Sequence, residues 1–391
     1  MATWGEEFSL SSAEVGNVSG TAFWGFTLAM VFGGPLCDVL GMRNLLRFAF
    51  AGHMAGIALT ILANSYLTLF IATLVIGISN GLVEAACNPL VTALFPNDRI
   101  KYLNRFHVWF PGGIVIGGLI AYLMLDQFHL PWRFLMLTLA VPGLWYGFMS
   151  FNADFPVSER VSSGTSSSRM YASLANPLFL FMVFCMMLTA GTELGTNQWI
   201  TQLLANVGVP SILLLVFISG IMALGRGFAG ELSHRLAPEG MLLLSAVFST
   251  LGLVMLSYSE GALAFVSAAV FAVGVCYFWP TMLGFVSEYI PETGPMGLSI
   301  MGGAGMLSVS FILPYMGKIY DENVVAKIPA GYNAETLKAA VPGSNDAVLW
   351  SHINLEAGSE TLFMVSAMPL FLVVAFMVLM ILLRNQKRTG F

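Results

Sequence analysis

The chain has 391 residues, is 57% hydrophobic and carries only 9% charged residues, with 30 Phe and a mean hydropathy of +0.80. A soluble domain carries about 25% charged residues, so this composition excludes an ordinary soluble protein and points to an all-α membrane protein with many spans. The net charge of -5 says little about partners, because in such a chain the placement of charges matters more than their sum.

A hydrocarbon core about 30 Å thick needs about 20 apolar residues per helix. Eleven segments meet that need: 15–37, 45–64, 66–95, 104–125, 131–151, 176–204, 210–231, 240–258, 262–288, 294–316 and 361–383. The runs are too long for strands, and a helix satisfies its own backbone in lipid. The opening MATWGEEFSLSS lacks the basic start and apolar core of a cleaved signal.

Basic residues mark the cytoplasmic side. Arg43 and Arg47 share one loop, and Arg99, Lys101 and Arg105 another. Arg160, Arg169, Arg226, Arg235, Arg384, Lys387 and Arg388 follow on the same side, which places twelve of the sixteen basic residues there. The N-terminus, with Glu6, Glu7 and Glu14, is then outside, as is the acid-rich loop 317–360, where 333–341 is expected to form a short surface helix. The Ser-rich stretch 152–175 reads as a cytoplasmic linker between an N-terminal half, 1–151, and a C-terminal half, 176–391.

The halves repeat. Gly34-Pro-Leu-Cys-Asp38 followed by Arg43 matches Gly227-Phe-Ala-Gly-Glu231 followed by Arg235, 193 residues later. Nearly the same offset lays 77–96 over 274–291 and the Gly-rich 111–118 over 301–308. Parallel repeats of this kind occur in membrane transporters. The helix at 176–204 has no partner 193 residues earlier, which implies five spans in the first half, six in the second, and a first helix missing from a six-plus-six design.

The loop Gly34-Pro-Leu-Cys-Asp38-Val-Leu-Gly41-Met-Arg43 resembles the signature loop of the major facilitator superfamily, where it joins helices two and three. The stretch GLVEAACNPLVTALFP with Leu103-Asn104 resembles, more narrowly, the fucose permease group of proton–sugar symporters, in which an acid of the fourth helix is followed by small residues and Asn-Pro. Glu84, Asn88 and Pro89 match that pattern, whereas His107 stands where the group has Gln. The resemblance implies a major-facilitator-type bundle of two halves, a monomer in the cytoplasmic (inner) membrane, and alternating-access transport of a sugar-like small molecule with a proton, or sodium, as coupling ion.

The residues themselves support polar traffic. Burying an unpaired charge in lipid is costly, so an acid at membrane depth faces the bundle interior or a cavity. Asn80, Glu84 and Asn88 stand four residues apart, on one face of a helix that Gly77 and Gly81 leave open to a close neighbour or a ligand and that Pro89 can kink. Desolvation disfavours a charged carboxyl, so Glu84 can take a proton near neutral pH and also accept sugar hydroxyls, with Asn88 offering a donor and an acceptor. Glu193, Asn197 and Gln198, with Trp199 beside them, form a second polar stripe suited to substrate. His107 is a candidate proton relay because an imidazole titrates near neutrality. Trp279, at the repeat position of the Glu84 stripe, can stack on a substrate, and His53 is a weaker candidate.

Bland readings stand beside these: a structural acid for Glu84, wet mouth residues for Glu193 and its neighbours, packing residues for His107 and Trp279. Asp38, Arg43, Glu231 and Arg235 read as gating-loop contacts or as simple topology anchors. Gly113 and Gly117 fit close helix packing. No Lys or Arg is read at mid-depth, which argues against an anionic substrate. Transport of another neutral or acidic small solute, efflux, and a non-transporting sensor or degenerate remnant are the alternatives. An enzyme is not expected, since there is no phosphate loop, nucleophile elbow or metal spacing, and the four cysteines suggest neither disulfides nor a metal site. No cofactor is implied, and no basic patch suggests nucleic acid.

Overall fold

The computed structural model describes residues 4, 7–10, 12–197, 211–259 and 261–389, and among them it is helical with no strand. Eleven helices in the described residues are long and apolar enough to cross a membrane. They are α1 (Ser12–Leu40), α2 (Met42–Ile61), α3 (Tyr66–Leu94), α4 (Arg99–Gln127), α5 (Trp132–Asn152) and α6 (Pro177–Gly195). After them come α7 (Ser211–Arg235), α8 (Pro238–Ser257), α9 (Leu263–Tyr289), α10 (Gly294–Lys327) and α11 (Asn345–Arg384). Each falls on one of the eleven apolar segments of the sequence.

Local sequence explains several boundaries. Ser65 caps α3, its hydroxyl accepting from the Thr68 backbone N–H while the Thr68 side chain accepts from the Ser65 N–H. Gly41, at φ 79°, makes the sharp break between α1 and α2 that a side chain would resist. α5 turns Val141, Trp145 and Phe148 outward, as suits a lipid-facing helix.

The chain divides into two compact units. One comprises Met1–His107, Leu119–Met187 and Trp279–Ser310; the other comprises Val108–Gly118, Leu188–Phe278 and Phe311–Phe391. In the first, Phe26, Met30, Met42, Leu45, Ala85 and Ala86 form a core at the meeting of α1, α2 and α3. α1 and α3 pack backbone against backbone: a Cβ at Gly77 would lie 2.8 Å from the Ala22 carbonyl oxygen, and one at Gly81 2.5 Å from that of Phe26. Gly77 and Gly81 therefore serve a neighbouring helix. Gly113 and Gly117 differ: among the described residues a Cβ at either meets nothing within 4 Å. A glycine pair allows a close approach but does not supply the neighbour.

In the second unit, α8 and α9 make the same kind of contact through Gly252 against Phe271 and Gly274 against Ser249. The segment read as a loop, 317–360, is largely helical. α10 continues to Lys327, a short helix Ala334–Lys338 follows as expected from its sequence, and α11 already begins at Asn345. Val324, Leu337, Ile353 and Ala357 form a small core there, fastened by Lys327 to Glu360 at 2.8 Å and by the Tyr320 hydroxyl donating to Asn354 at 2.8 Å. Charged residues hid this in a hydropathy reading, although Leu349, Ile353 and Ala357 recur at helical spacing.

Candidate functional site

Each unit holds an acid within its helices that gathers a set of partners. In the first unit, Glu84 and Asn88 are one helical turn apart on α3, and the Asn88 amide donates to Glu84 Oε1 at 3.1 Å. His107, on the opening segment of α4, places Nε2 3.2 Å from Asn88 Oδ1 and 3.5 Å from Glu84 Oε1. Asn88 spends its N–H group on Glu84, so its oxygen faces the imidazole and His107 Nε2 carries the hydrogen of that contact. Trp279 Nε1 donates to the same Glu84 oxygen at 3.2 Å. Asn88, His107 and Trp279 are buried, while the Glu84 side chain keeps 15% of its exposure. Three residues named from the sequence thus converge on the carboxylate of a fourth, and Trp279 does so through its indole N–H.

Asn80 does not join them. Its Oδ1 lies 2.9 Å from His53 Nε2, and His53 Nδ1 lies 2.6 Å from the Tyr146 hydroxyl. Each four-residue step on an α-helix overshoots a full turn by about 40°, so over two steps Asn80 and Asn88 point in different directions. Asn104 is buried, and its amide is occupied by the Ile100 carbonyl at 2.9 Å.

In the second unit, Glu193 lies in a π-helical turn, Gly191–Gly195, near the end of α6. Its Oε1 is 3.0 Å from Arg226 Nη2 on α7, and both side chains are almost wholly buried, at 2% and 1% exposure. Arg226 Nε also donates to the Cys276 carbonyl at 2.7 Å. The sequence explains that acceptor. The Cys276 carbonyl would bond the N–H four residues on, but residue 280 is proline and has none. Asn197, though four residues after Glu193, leaves its Oδ1 without a hydrogen-bond partner among the described residues, as do Glu193 Oε2 and Thr196 Oγ1. Gln198 lies outside the described residues.

Arg226 corrects two expectations. It is not a topology residue at the cytoplasmic end of α7, and a cation does sit inside the bundle. Arg235 ends the helix nine residues later, and nine residues of helix span about 14 Å, too far for Arg226 to reach the helix end. That spacing was a usable signal, as was the proline that freed the carbonyl. The His53–Tyr146 pair had no signal, because the two residues lie 93 apart in sequence.

The residues read as gating contacts occupy separate places. The Asp38 side chain is buried, accepts from the Ser158 hydroxyl at 2.5 Å and pairs with Arg160 at 2.5 Å. Arg43 donates to the Ala153 carbonyl and pairs with Asp154 at 3.0 Å. Both thus fasten the Ser-rich segment after α5. Glu231 and Arg235 stand exposed at the end of α7. Among the described residues no group of His, Cys, Asp and Glu could hold a metal ion.

Comparison with known proteins adds the following. The family model described as Major Facilitator Superfamily matches residues 1–314. The chain is 24% identical over 244 residues to the multidrug resistance protein MdtG of Escherichia coli, covering 60% of this chain and 59% of that protein. It is 26% identical over 150 residues to the probable anion transporter 6, chloroplastic, of Arabidopsis thaliana, covering 38% and 29%. The chain therefore spans less than two thirds of the length of these relatives. Its fold is similar to that of the E. coli fucose:proton symporter FucP, with a TM-score of 0.69 at 15% identity over 93% of this chain and 91% of the other. The proton:xylose symporter XylE gives 0.70 at 14% identity over 95% and 89%. With eleven spans, this fold and a family model over most of its length, the chain belongs to the Major Facilitator Superfamily.

Proposed function

We propose that the protein is a secondary transporter that moves a small polar solute, a monosaccharide or close relative, by alternating access, with a proton taken up at Glu84 as coupling ion. The observation that carries this reading is the convergence of Asn88, His107 and Trp279 on the Glu84 carboxylate inside an apolar bundle. A charge held there is costly, and a proton removes it. Donors that now hold the carboxylate become available to solute hydroxyls when it is neutral, and the buried imidazole of His107 offers a route for the proton. The fold shared with fucose and xylose proton symporters supports the same reading. The basic loops at Arg43, Arg47, Arg99, Lys101 and Arg105 face the cytoplasm, in an inner-membrane protein that works as a monomer.

The test is uptake by the full chain in proteoliposomes under an inward proton gradient, with a panel of monosaccharides. Glu84→Gln should abolish gradient-driven accumulation while leaving solute exchange intact. Accumulation that survives the substitution rules out the coupling role, and dependence on a sodium gradient instead would reassign the ion. The likeness to a multidrug resistance protein supports export as a second reading; the same vesicles with the gradient reversed decide the direction.

A further inference from the structure

Asn80 stands midway along α3 (Tyr66–Leu94), and its side chain is exposed. An amide at that depth is costly against hydrocarbon, so an exposed one faces a polar path along the bundle. Glu84 lies one turn further on, about 6 Å along the helix axis and about 40° around it, and keeps part of its own exposure. A solute held at Glu84 is therefore within reach of Asn80.

What Asn80 offers that solute is set by two residues outside the Glu84 set. Its Oδ1 lies 2.9 Å from His53 Nε2 of α2, and His53 Nδ1 lies 2.6 Å from the Tyr146 hydroxyl of α5. An amide oxygen only accepts, so Nε2 carries the hydrogen of the first contact. In its neutral form the imidazole has one such hydrogen, so Nδ1 accepts and the Tyr146 hydroxyl donates. The relay from Tyr146 through His53 to Asn80 thus has one direction. It ends on Oδ1 and leaves the two N–H donors of Asn80 without a partner among the described residues. Packing holds the frame. Gly143 and Gly147 of α5 admit Met54 and Phe50 of α2, and Phe50 and His53 meet the Tyr146 ring edge-on at 6.1 and 5.8 Å. Cys87 of α3 is a further titratable group near Tyr146, and no charged side chain acts on the His53 ring among the described residues.

We infer that Asn80 donates a hydrogen bond to an oxygen of the transported solute, and that His53 and Tyr146 are positioning residues that keep its N–H group turned to that oxygen. This deepens the transporter reading and rests on it. A solute between Asn80 and Glu84 meets a donor at one end and a carboxyl at the other, which suits a polyhydroxylated molecule and leaves an apolar one against unpaired polar groups. Without the Tyr146 hydroxyl, nothing keeps the imidazole hydrogen off Nδ1. Nε2 then accepts, the Asn80 amide turns to donate to it, and the solute meets an amide oxygen in place of a donor.

The test is uptake of fucose, xylose and glucose by the full chain in proteoliposomes under an inward proton gradient, read as half-saturating concentration and maximal rate. Tyr146→Phe keeps the ring and its packing. It should raise the half-saturating concentration about three- to tenfold, the worth of one uncharged hydrogen bond, with little change in maximal rate. Asn80→Ala should do the same, and Tyr146→Phe added to it should do no more, because the hydroxyl acts through Asn80. At mildly acidic pH, ring protonation puts hydrogen on both nitrogens. It should return Tyr146→Phe toward wild type at that pH while leaving Asn80→Ala impaired. Nitrogen NMR of the wild-type protein with labelled histidine, of which the chain has five, should show the His53 hydrogen on Nε2, the signal being identified by its loss in His53→Gln. An unmoved half-saturating concentration in Tyr146→Phe, an additive loss in the double variant, or a His53 hydrogen on Nδ1 overturns this proposal and leaves the transporter reading standing. If the wild-type vesicles accumulate none of the sugars, both readings fall together.

Discussion

Glu84 and Glu193 begin from the same local pattern, an acid in an apolar helix with asparagine four residues later. In α3 the regular turn brings Asn88 over Glu84, and polar side chains with no permanent charge complete the set. In α6 the turn at Glu193 is π-helical, where hydrogen bonds close i→i+5, and Asn197 makes no bond to the acid. A permanent cation from another helix takes its place. The same two residues thus give one acid held by groups without a permanent charge and another paired with a guanidinium. The lesson is that the partner supplied by another helix, and not the local pattern, decides how an acid inside the bundle is held.

Breaking the comparison at its strongest point means removing the cation. Arg226→Gln leaves Glu193 buried without its counter-charge and should cost about 3–5 kcal/mol, read as a large fall in the thermal midpoint of the purified protein. Adding Glu193→Gln should recover most of that loss, because the unpaired charge goes with it. The first unit should respond less. Trp279→Phe removes one donor from the Glu84 carboxylate while keeping an aromatic ring, and a hydrogen bond to a charged group contributes about 1.5–3 kcal/mol; Glu84→Gln beside it should stay within about 1 kcal/mol of wild type, since Gln keeps an acceptor for both donors. A fall for Glu84→Gln as large as that for Arg226→Gln would erase the distinction between the sites.

The frame behind Glu84 can be tested separately. Gly81→Ala places a methyl against the Phe26 carbonyl of α1 and should cost about 1–3 kcal/mol by overpacking. Gly117→Ala, whose Cβ would meet none of the described residues within 4 Å, should be neutral or stabilise by about 0.5–1 kcal/mol. The smallest effect belongs to an acid outside the spans. Glu7 accepts from the Trp132 indole and pairs with Arg133, and these contacts hold its carboxyl below the ordinary value of 4.5. Its contribution is therefore complete above that value and is lost as pH falls through the lower folded-state value. Acid titration of Glu7→Gln against wild type should show a slight difference confined to that window, because the pair is solvent-screened.

Much of this was legible in the chain itself. Eleven apolar runs became eleven spanning helices because, without water, only a helix satisfies the backbone locally. Glu84, Asn88, His107 and Trp279 were each visible as polar or aromatic residues in apolar surroundings. Their number was legible, but not their arrangement: Asn80 looked equal to Asn88 until the drift of the helix turned it toward His53. Gly113 and Gly117 looked like Gly77 and Gly81, and only the presence of a neighbouring backbone separates the pairs. The helical 317–360 region was obscured by its charges, since hydropathy detects lipid contact and not a small core built above it.

The sequence by itself therefore determined the number and course of the helices, the family, and the residues able to carry polar chemistry, because those follow from hydrophobicity and short-range spacing. Tertiary structure alone decided which acid meets which partner. Arg226 reaches Glu193 across 33 residues of sequence and Trp279 reaches Glu84 across 195. Such pairings depend on the relative rotation and depth of packed helices, which a periodicity read within one helix does not contain.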